Sequence, residues 1–257
     1  MEELRQAIER QRAVCSGESA VIVKNLTTGE RIACNERDVF PAASLIKLPV
    51  LFTLYKRKKE GFFLGERIRM EQGHKVGGFG ILKDLEPGLT LSWKDLAVLM
   101  IIVSDNTAAN WLIDFLGMDA VNREIKALGL SETELNRKMM DAAAKEMGLE
   151  NRTSAADMER MFEAVLKDAD SEEMMDILKR QQCNNKLPVF FGEHGGFAHK
   201  TGDLPGTEHD AGILFTGNQA FFTAVLTRDL RDNRDGIRLN QEIGRLVYHY
   251  GRQEREE

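Results

Sequence analysis

Four polar side chains are spaced as an acyl-transfer site needs them. Ser44 has Lys47 three residues on, Ser104 opens the triplet Ser104-Asp105-Asn106, and Lys200 opens Lys200-Thr201-Gly202. A serine hydroxyl is a weak nucleophile near neutral pH and needs a base within hydrogen-bond reach. Ser44-Leu45-Ile46-Lys47 supplies one, because three residues is about one helical turn and brings both side chains to one face. Flanked by Ile46, Leu48 and Pro49, the Lys47 ammonium is expected to lose hydration. Desolvation lowers a lysine pKa until the neutral amine can take a proton. A serine at a helix start also sits among unpaired backbone N–H groups, which favour negative charge as it develops.

Taken singly these groups have plainer readings, Ser44 as an N-cap and Ser-Asp-Asn as a polar turn. The combination decides. At average residue usage about one S-x-x-K arises by chance in a chain of this length, whereas S-D-N and K-T-G are each expected on the order of a few hundredths of a time. S-x-x-K followed by S-D-N and K-T-G resembles the class A β-lactamases and penicillin-binding proteins, and the likeness runs from about residue 18 to about residue 250. It implies that Ser44 attacks an amide or ester, that Lys47 takes its proton, and that Ser104 passes a proton to the leaving nitrogen. Asn106 would bond a substrate carboxamide on one side and Lys47 on the other. Lys200 and Thr201 would receive a substrate carboxylate, and the small Gly202 permits close approach. The N–H groups of Ser44 and Asp203 would form the oxyanion hole. Asn110, four residues after Asn106, would anchor a neighbouring loop.

The chain departs from the class A pattern in two places. The loop glutamate that activates water for release of the acyl group falls on Met139, and a methionine cannot accept a proton. Asp141 is the nearest substitute, with Glu134 weaker. Asp203 stands where a small neutral residue is usual, and its carboxylate is expected to oppose both an oxyanion and an anionic substrate. The resemblance thus supports acylation better than rapid hydrolysis. The expected function is β-lactam hydrolysis through an acyl-enzyme at Ser44, with slow deacylation. A penicillin-binding, DD-peptidase-like or esterase-like acyl transferase is the alternative, and an acylated receptor without turnover a further one. No metal or cofactor is called for, and the expected partner is a small β-lactam or a peptide or ester substrate.

The elements must carry these groups to one place. Residues 2–13 read as a helix, Ala20–Val23 and Arg31–Cys34 as a hairpin around Thr27-Thr28-Gly29, and the segment after Pro41 as a helix burying Leu45, Leu48, Leu51, Phe52 and Tyr55. From about 90 to 180 the pattern is helical, with Ser92, Ser131 and Ser154 as start signals. Strands return at 196–200, 211–215 and 221–227, before a final helix near 232–251. The expected fold is α+β. An antiparallel five-stranded sheet covered by the terminal helices (residues 1–58 and 193–257) would stand beside an all-α lobe (59–192), with the site in the cleft between them.

Composition sets the outer bounds. With 42% hydrophobic and 30% charged residues the 257-residue chain reads as an ordinary globular protein. A net charge of −6 argues against nucleic-acid binding. No apolar run approaches a membrane span, and Met1-Glu2-Glu3-Leu4-Arg5 does not read as a signal peptide. The expectation is a monomer, either cytoplasmic or a mature exported form whose leader has been removed. Cys15, Cys34 and Cys183 have no metal-ligand spacing and are expected to be free and buried, while His194 and His199 make a poor zinc pair.

Overall fold

The computed structural model describes residues 1–191, 196–216 and 219–253. Helix α1 (Glu2–Val14) leads into the hairpin β1 (Glu18–Asn25) and β2 (Arg31–Cys34). A short strand β3 (Phe40–Pro41) and a 3-10 turn, Ala43–Ile46, deliver the chain to α2 (Lys47–Lys59). Two short strands, β4 (Arg67–Arg69) and β5 (Thr90–Ser92), pair antiparallel ahead of α3 (Trp93–Ile102), α4 (Asn106–Leu116) and α5 (Met118–Ala127). A largely irregular stretch then holds the short α6 (Ala142–Glu146) and β6 (Arg152–Thr153), followed by α7 (Ala155–Lys167) and α8 (Ser171–Lys179). The chain ends in β7 (Gly196–Leu204), β8 (Thr207–Thr216), β9 (Gln219–Arg228) and α9 (Asn233–Gln253).

The expected five-stranded antiparallel sheet forms in the order β2-β1-β9-β8-β7, so β7 is an edge strand. Alternation along each strand feeds two cores. Val21, Val23, Leu214 and Val225 face α1 and α9, where Leu4, Ile8, Leu239, Ile243 and Val247 form apolar stripes. On the other face Ala20, Ile22, Ile213 and Leu226 join the core of the helices. Helix α2 lies within that core, every residue from Lys47 to Tyr55 buried, packed on α3, α4, α5 and α7. Its burial on all sides is what strips water from Lys47.

Some local expectations change. Ser92 and Ser154 cap α3 and α7 as read, each accepting from the N–H three residues on. Ser131-x-x-Glu134 starts no helix; Glu134 instead bridges Arg152 through its backbone and pairs with it at 2.7 Å through its side chain. The three cysteines are free, but only Cys34 is buried, Cys15 and Cys183 being half-exposed. Burial and the charge of Asp235 push the Cys15 thiol up to about 11. His194 and the end of the charged tail lie outside the described residues. Among the described residues no helix is long and apolar enough to cross a membrane, and no cluster of His, Cys, Asp or Glu is arranged to hold a metal.

Candidate active site

Ser44 lies in the 3-10 turn that runs directly into α2. The turn is held from outside. Pro41 pairs with Arg152, the Ala42 N–H donates to the Asn151 carbonyl at 2.7 Å, and the Pro41 carbonyl sits 2.7 Å from His209 Nε2. Ala43 takes a positive φ of 46°, a strained left-handed value that this bracing sustains. Burial lowers His209 to about 4, so its imidazole is neutral, with Nδ1 accepting from the Thr227 N–H and Nε2–H left to donate to Pro41.

Lys47 is wholly buried, with Nζ 3.0 Å from Ser44 Oγ, 3.0 Å from Ser104 Oγ, 2.7 Å from the Ser104 carbonyl and 2.8 Å from Asn106 Oδ1. The carbonyl and the amide oxygen can only accept, and so take two N–H groups. Both remaining neighbours are hydroxyls, either of which can donate to a nitrogen lone pair. The geometry suits a neutral amine. Burial, and then the nearby Lys200 charge, lower the Lys47 pKa well below the ordinary lysine value.

Ser104 follows the end of α3 and also has a left-handed φ, of 54°. Its hydroxyl stands between two lysines, 3.0 Å from Lys47 Nζ and 3.1 Å from Lys200 Nζ. Asp105 fixes that position. It N-caps α4 through the Ala108 N–H and accepts from the Ile81 and Leu82 N–H groups, so one carboxylate holds both the helix and the loop before it. Asn106 donates from Nδ2 to the Gly77 carbonyl, which turns its Oδ1 toward Lys47.

On β7, Lys200 is buried and donates to the Thr201 carbonyl at 2.8 Å, with burial lowering it to about 8. Thr201 Oγ1 is buried without a hydrogen-bond partner among the described residues, an open valence beside a cation. A side chain at Gly202 would crowd the turn: a Cβ there would come 3.0 Å from Ala43 Cβ and 3.2 Å from Ser44 N, so the turn would have to give by a few tenths of an ångström. The edge of β7 therefore runs against the backbone of the Ser44 turn.

A cavity of about 400 Å³ opens on Ser44, with Phe79, Met139, Met140, Leu204 and Asp203 in its wall. Met139 is clamped through its backbone, its N–H donating to Asn110 Oδ1 at 2.7 Å and its carbonyl accepting from Asn110 Nδ2 at 2.9 Å. Asp141 lines the same cavity but caps α6, Oδ1 accepting from the Ala144 N–H at 3.0 Å. Glu134, the other candidate acid, lines a separate depression on the helical side. Glu150 is a carboxylate in the cavity wall that the sequence reading passed over, and Arg137 binds it at 2.7 Å.

Asp203 is not the bare carboxylate expected. Lys186 Nζ, wholly buried, donates to Asp203 Oδ1 at 2.7 Å and pairs with Glu208 at 2.7 Å. Burial opposes the Asp203 charge, but the Lys186 ammonium outweighs it and holds the carboxyl below its usual range. Glu208, where burial dominates, moves up instead. The negative charge at the end of the Lys-Thr-Gly strand thus has its own buried counter-ion.

A family model described as "Beta-lactamase enzyme family" matches residues 2–250. The chain belongs to that family. Among solved structures, this family member is similar to a beta-lactamase from Sphaerobacter thermophilus DSM 20745, with 30% identity, 97% of each chain covered and a TM-score of 0.88. It is equally similar to PBP-A, with 29% identity, 98% of this chain and 97% of the other covered and a TM-score of 0.87. The TLA-1 extended-spectrum beta-lactamase, at 19% identity and a TM-score of 0.87 over 97% of this chain and 98% of its own, shares the fold. No curated protein matches. Family and fold together support a beta-lactamase-like serine hydrolase.

Proposed function

We propose that Ser44 is the nucleophile of an enzyme that β-lactams acylate, and that its acyl-enzyme is released slowly. The observation that carries the reading is the buried Lys47 amine 3.0 Å from Ser44 Oγ, with two acceptor oxygens occupying its N–H groups. In this mechanism Lys47 removes the Ser44 proton as Oγ attacks the strained amide carbon. The carbonyl oxygen collects charge against the N–H groups of Ser44 and Asp203. Ser104, bonded to Lys47 on one side and Lys200 on the other, returns the proton to the leaving nitrogen. Lys200 and the unpartnered Thr201 hydroxyl bind the substrate carboxylate, and Gly202 lets it approach. The apolar wall of Phe79, Met140 and Leu204 favours an apolar group on the acyl side.

Release is where a second reading gains support. Met139 occupies the loop place of the water-activating acid, and Asp141 has one oxygen committed to α6. A chain that acylates well and hydrolyses poorly suits a peptidase or esterase that passes its acyl group to another acceptor. PBP-A, as a mutant with one leucine replaced by glutamate, has been captured as an acyl-enzyme with penicillin G, a precedent in a similar chain for a stable adduct.

Intact-protein mass spectrometry after incubation with benzylpenicillin tests the core of the proposal. One adduct is expected, and none in Ser44→Ala. An adduct that survives that substitution removes Ser44 as nucleophile. Chromogenic cephalosporin, phenolic ester and D-Ala-D-Ala peptide, compared side by side, separate the two readings by their turnover.

A further inference from the structure

The buried Lys186 has no part in the chemistry above, yet its ammonium touches the strand that would form the oxyanion site. Besides its hydrogen bond to Asp203 and its ion pair with Glu208, it donates to the Gly202 carbonyl at 3.1 Å and the His209 carbonyl at 3.0 Å. Gly202 and His209 face each other in the β7–β8 register, so these carbonyls converge on the ammonium from the paired side of β7. The Gly202 carbonyl and the Asp203 N–H belong to one peptide unit, and in a trans peptide they point opposite ways. With its carbonyl turned to the β8 side, the unit aims the Asp203 N–H at the open edge of the sheet. Ser44 N lies over the face of the strand at this point, 3.2 Å from where a Gly202 Cβ would stand. The Ser44 turn thus packs directly against the residue that carries the 202–203 peptide.

We propose that Lys186 is a positioning residue of the oxyanion site: bound to the Gly202 carbonyl, it fixes and polarises the 202–203 peptide so that the Asp203 N–H donates more strongly to the acyl oxygen. Hydrogen bonds in a chain strengthen one another, and a cation at the carbonyl end of an amide makes its N–H a better donor. Asp203 and Glu208 are the counter-ions that let an ammonium remain buried beneath the strand. They also set how much of its field reaches the peptide. This inference rests on acylation at Ser44.

The test is the stretching frequency of the Ser44 ester carbonyl, read by infrared difference spectroscopy on acyl-enzyme made with carbonyl-labelled benzylpenicillin. A stronger hydrogen bond lowers that frequency. Lys186→Met is expected to move the band to higher wavenumber and to slow acylation about tenfold, less than the roughly 10²–10³ that loss of a whole oxyanion donor costs. Glu208→Gln keeps the ammonium and removes one counter-charge, so its band should move to lower wavenumber. If Lys186→Met does not fold, the Glu208→Gln band decides alone. A band at the parent position in either folded variant overturns the proposal, even if the rate falls, because a merely structural lysine would change rate without changing the hydrogen bond. A parent protein with no adduct on Ser44 brings down the acylation reading and this one with it. An adduct whose band ignores Lys186 brings down this one alone.

Discussion

Met139→Glu should convert a slow step into a fast one. The perturbation is local, because Asn110 grips the residue only through its N–H and carbonyl, at 2.7 and 2.9 Å, and any side chain there inherits the same backbone position. Met139 is 8% exposed and lines the cavity that opens on Ser44. A carboxylate at that depth loses hydration, which raises its pKa toward the range where it can accept a proton from water near neutrality. General-base catalysis contributes typically 10²–10⁴-fold, or about 2.7–5.4 kcal/mol off the deacylation barrier at 1.36 kcal/mol per decade. Burying the new charge should cost some stability, roughly 1–3 kcal/mol, seen as a lower melting temperature. The assay is decay of the Ser44 adduct by mass spectrometry after excess penicillin is removed, beside a stopped-flow burst measured with a chromogenic cephalosporin. The parent should show a burst of about one equivalent and slow turnover, the kinetic mark of an accumulating acyl-enzyme. In the variant the burst should shrink as the steady state rises. A folded Met139→Glu protein that acylates normally but keeps the parent adduct lifetime would refute the assignment of this loop place.

Other expectations follow from the same geometry. Lys47→Met should slow acylation by about two to four orders of magnitude, read as the single-turnover rate of adduct formation; a rate within a factor of two of the parent would mean another base. Because burial lowers Lys200 to about 8, the free enzyme carries this charge below that pH and loses it above, so kcat/KM for a carboxylate-bearing β-lactam should fall on the alkaline side of about pH 8. A neutral phenolic ester should show no such limb, and an equal fall for both would move the titration to another group. Lengthening an apolar acyl chain should raise kcat/KM by about fourfold per methylene, from about 0.8 kcal/mol of transfer free energy each, until the cavity wall is filled. A flat series would show that the acyl group lies elsewhere.

The legible part of this site was local. Ser44 and Lys47 are one turn apart and need only helical geometry to meet, and Asp105 as a cap is a short-range matter, whereas Asn110 as a loop anchor was implied by the class A resemblance and reaches across 29 residues. The central sheet was legible from alternating apolar strands, except where polar residues interrupt the alternation. Glu208-His209-Asp210 are buried inside β8, yet an apolar pattern starts that strand only at Ala211. The same triplet holds what was missed. His209 bonds the Pro41 carbonyl, and Glu208 pairs with Lys186, contacts made across 168 and 22 residues of chain. Lys186 follows Asn184 and Asn185 and precedes Leu187 without any periodicity, so nothing in its neighbourhood announces a buried cation. The reading of Asp203 as a bare carboxylate left out Lys186 for that reason, since the compensating charge comes from another segment. Ser131 and Glu134 fit a capping pattern, but pairing with Arg152 claimed the backbone first.

The Asn110 clamp has a consequence for descent. It recognises position 139 by main-chain atoms alone, so the loop keeps its shape whatever side chain is carried there. If the proposed mechanism holds, how fast the serine is acylated and how long it stays acylated are separable traits, the first written in Lys47 and Ser104, the second in one replaceable side chain. Under the proposed mechanism a lineage could slide between trapping a β-lactam and destroying it without rebuilding the cleft, methionine at this place standing at the trapping end.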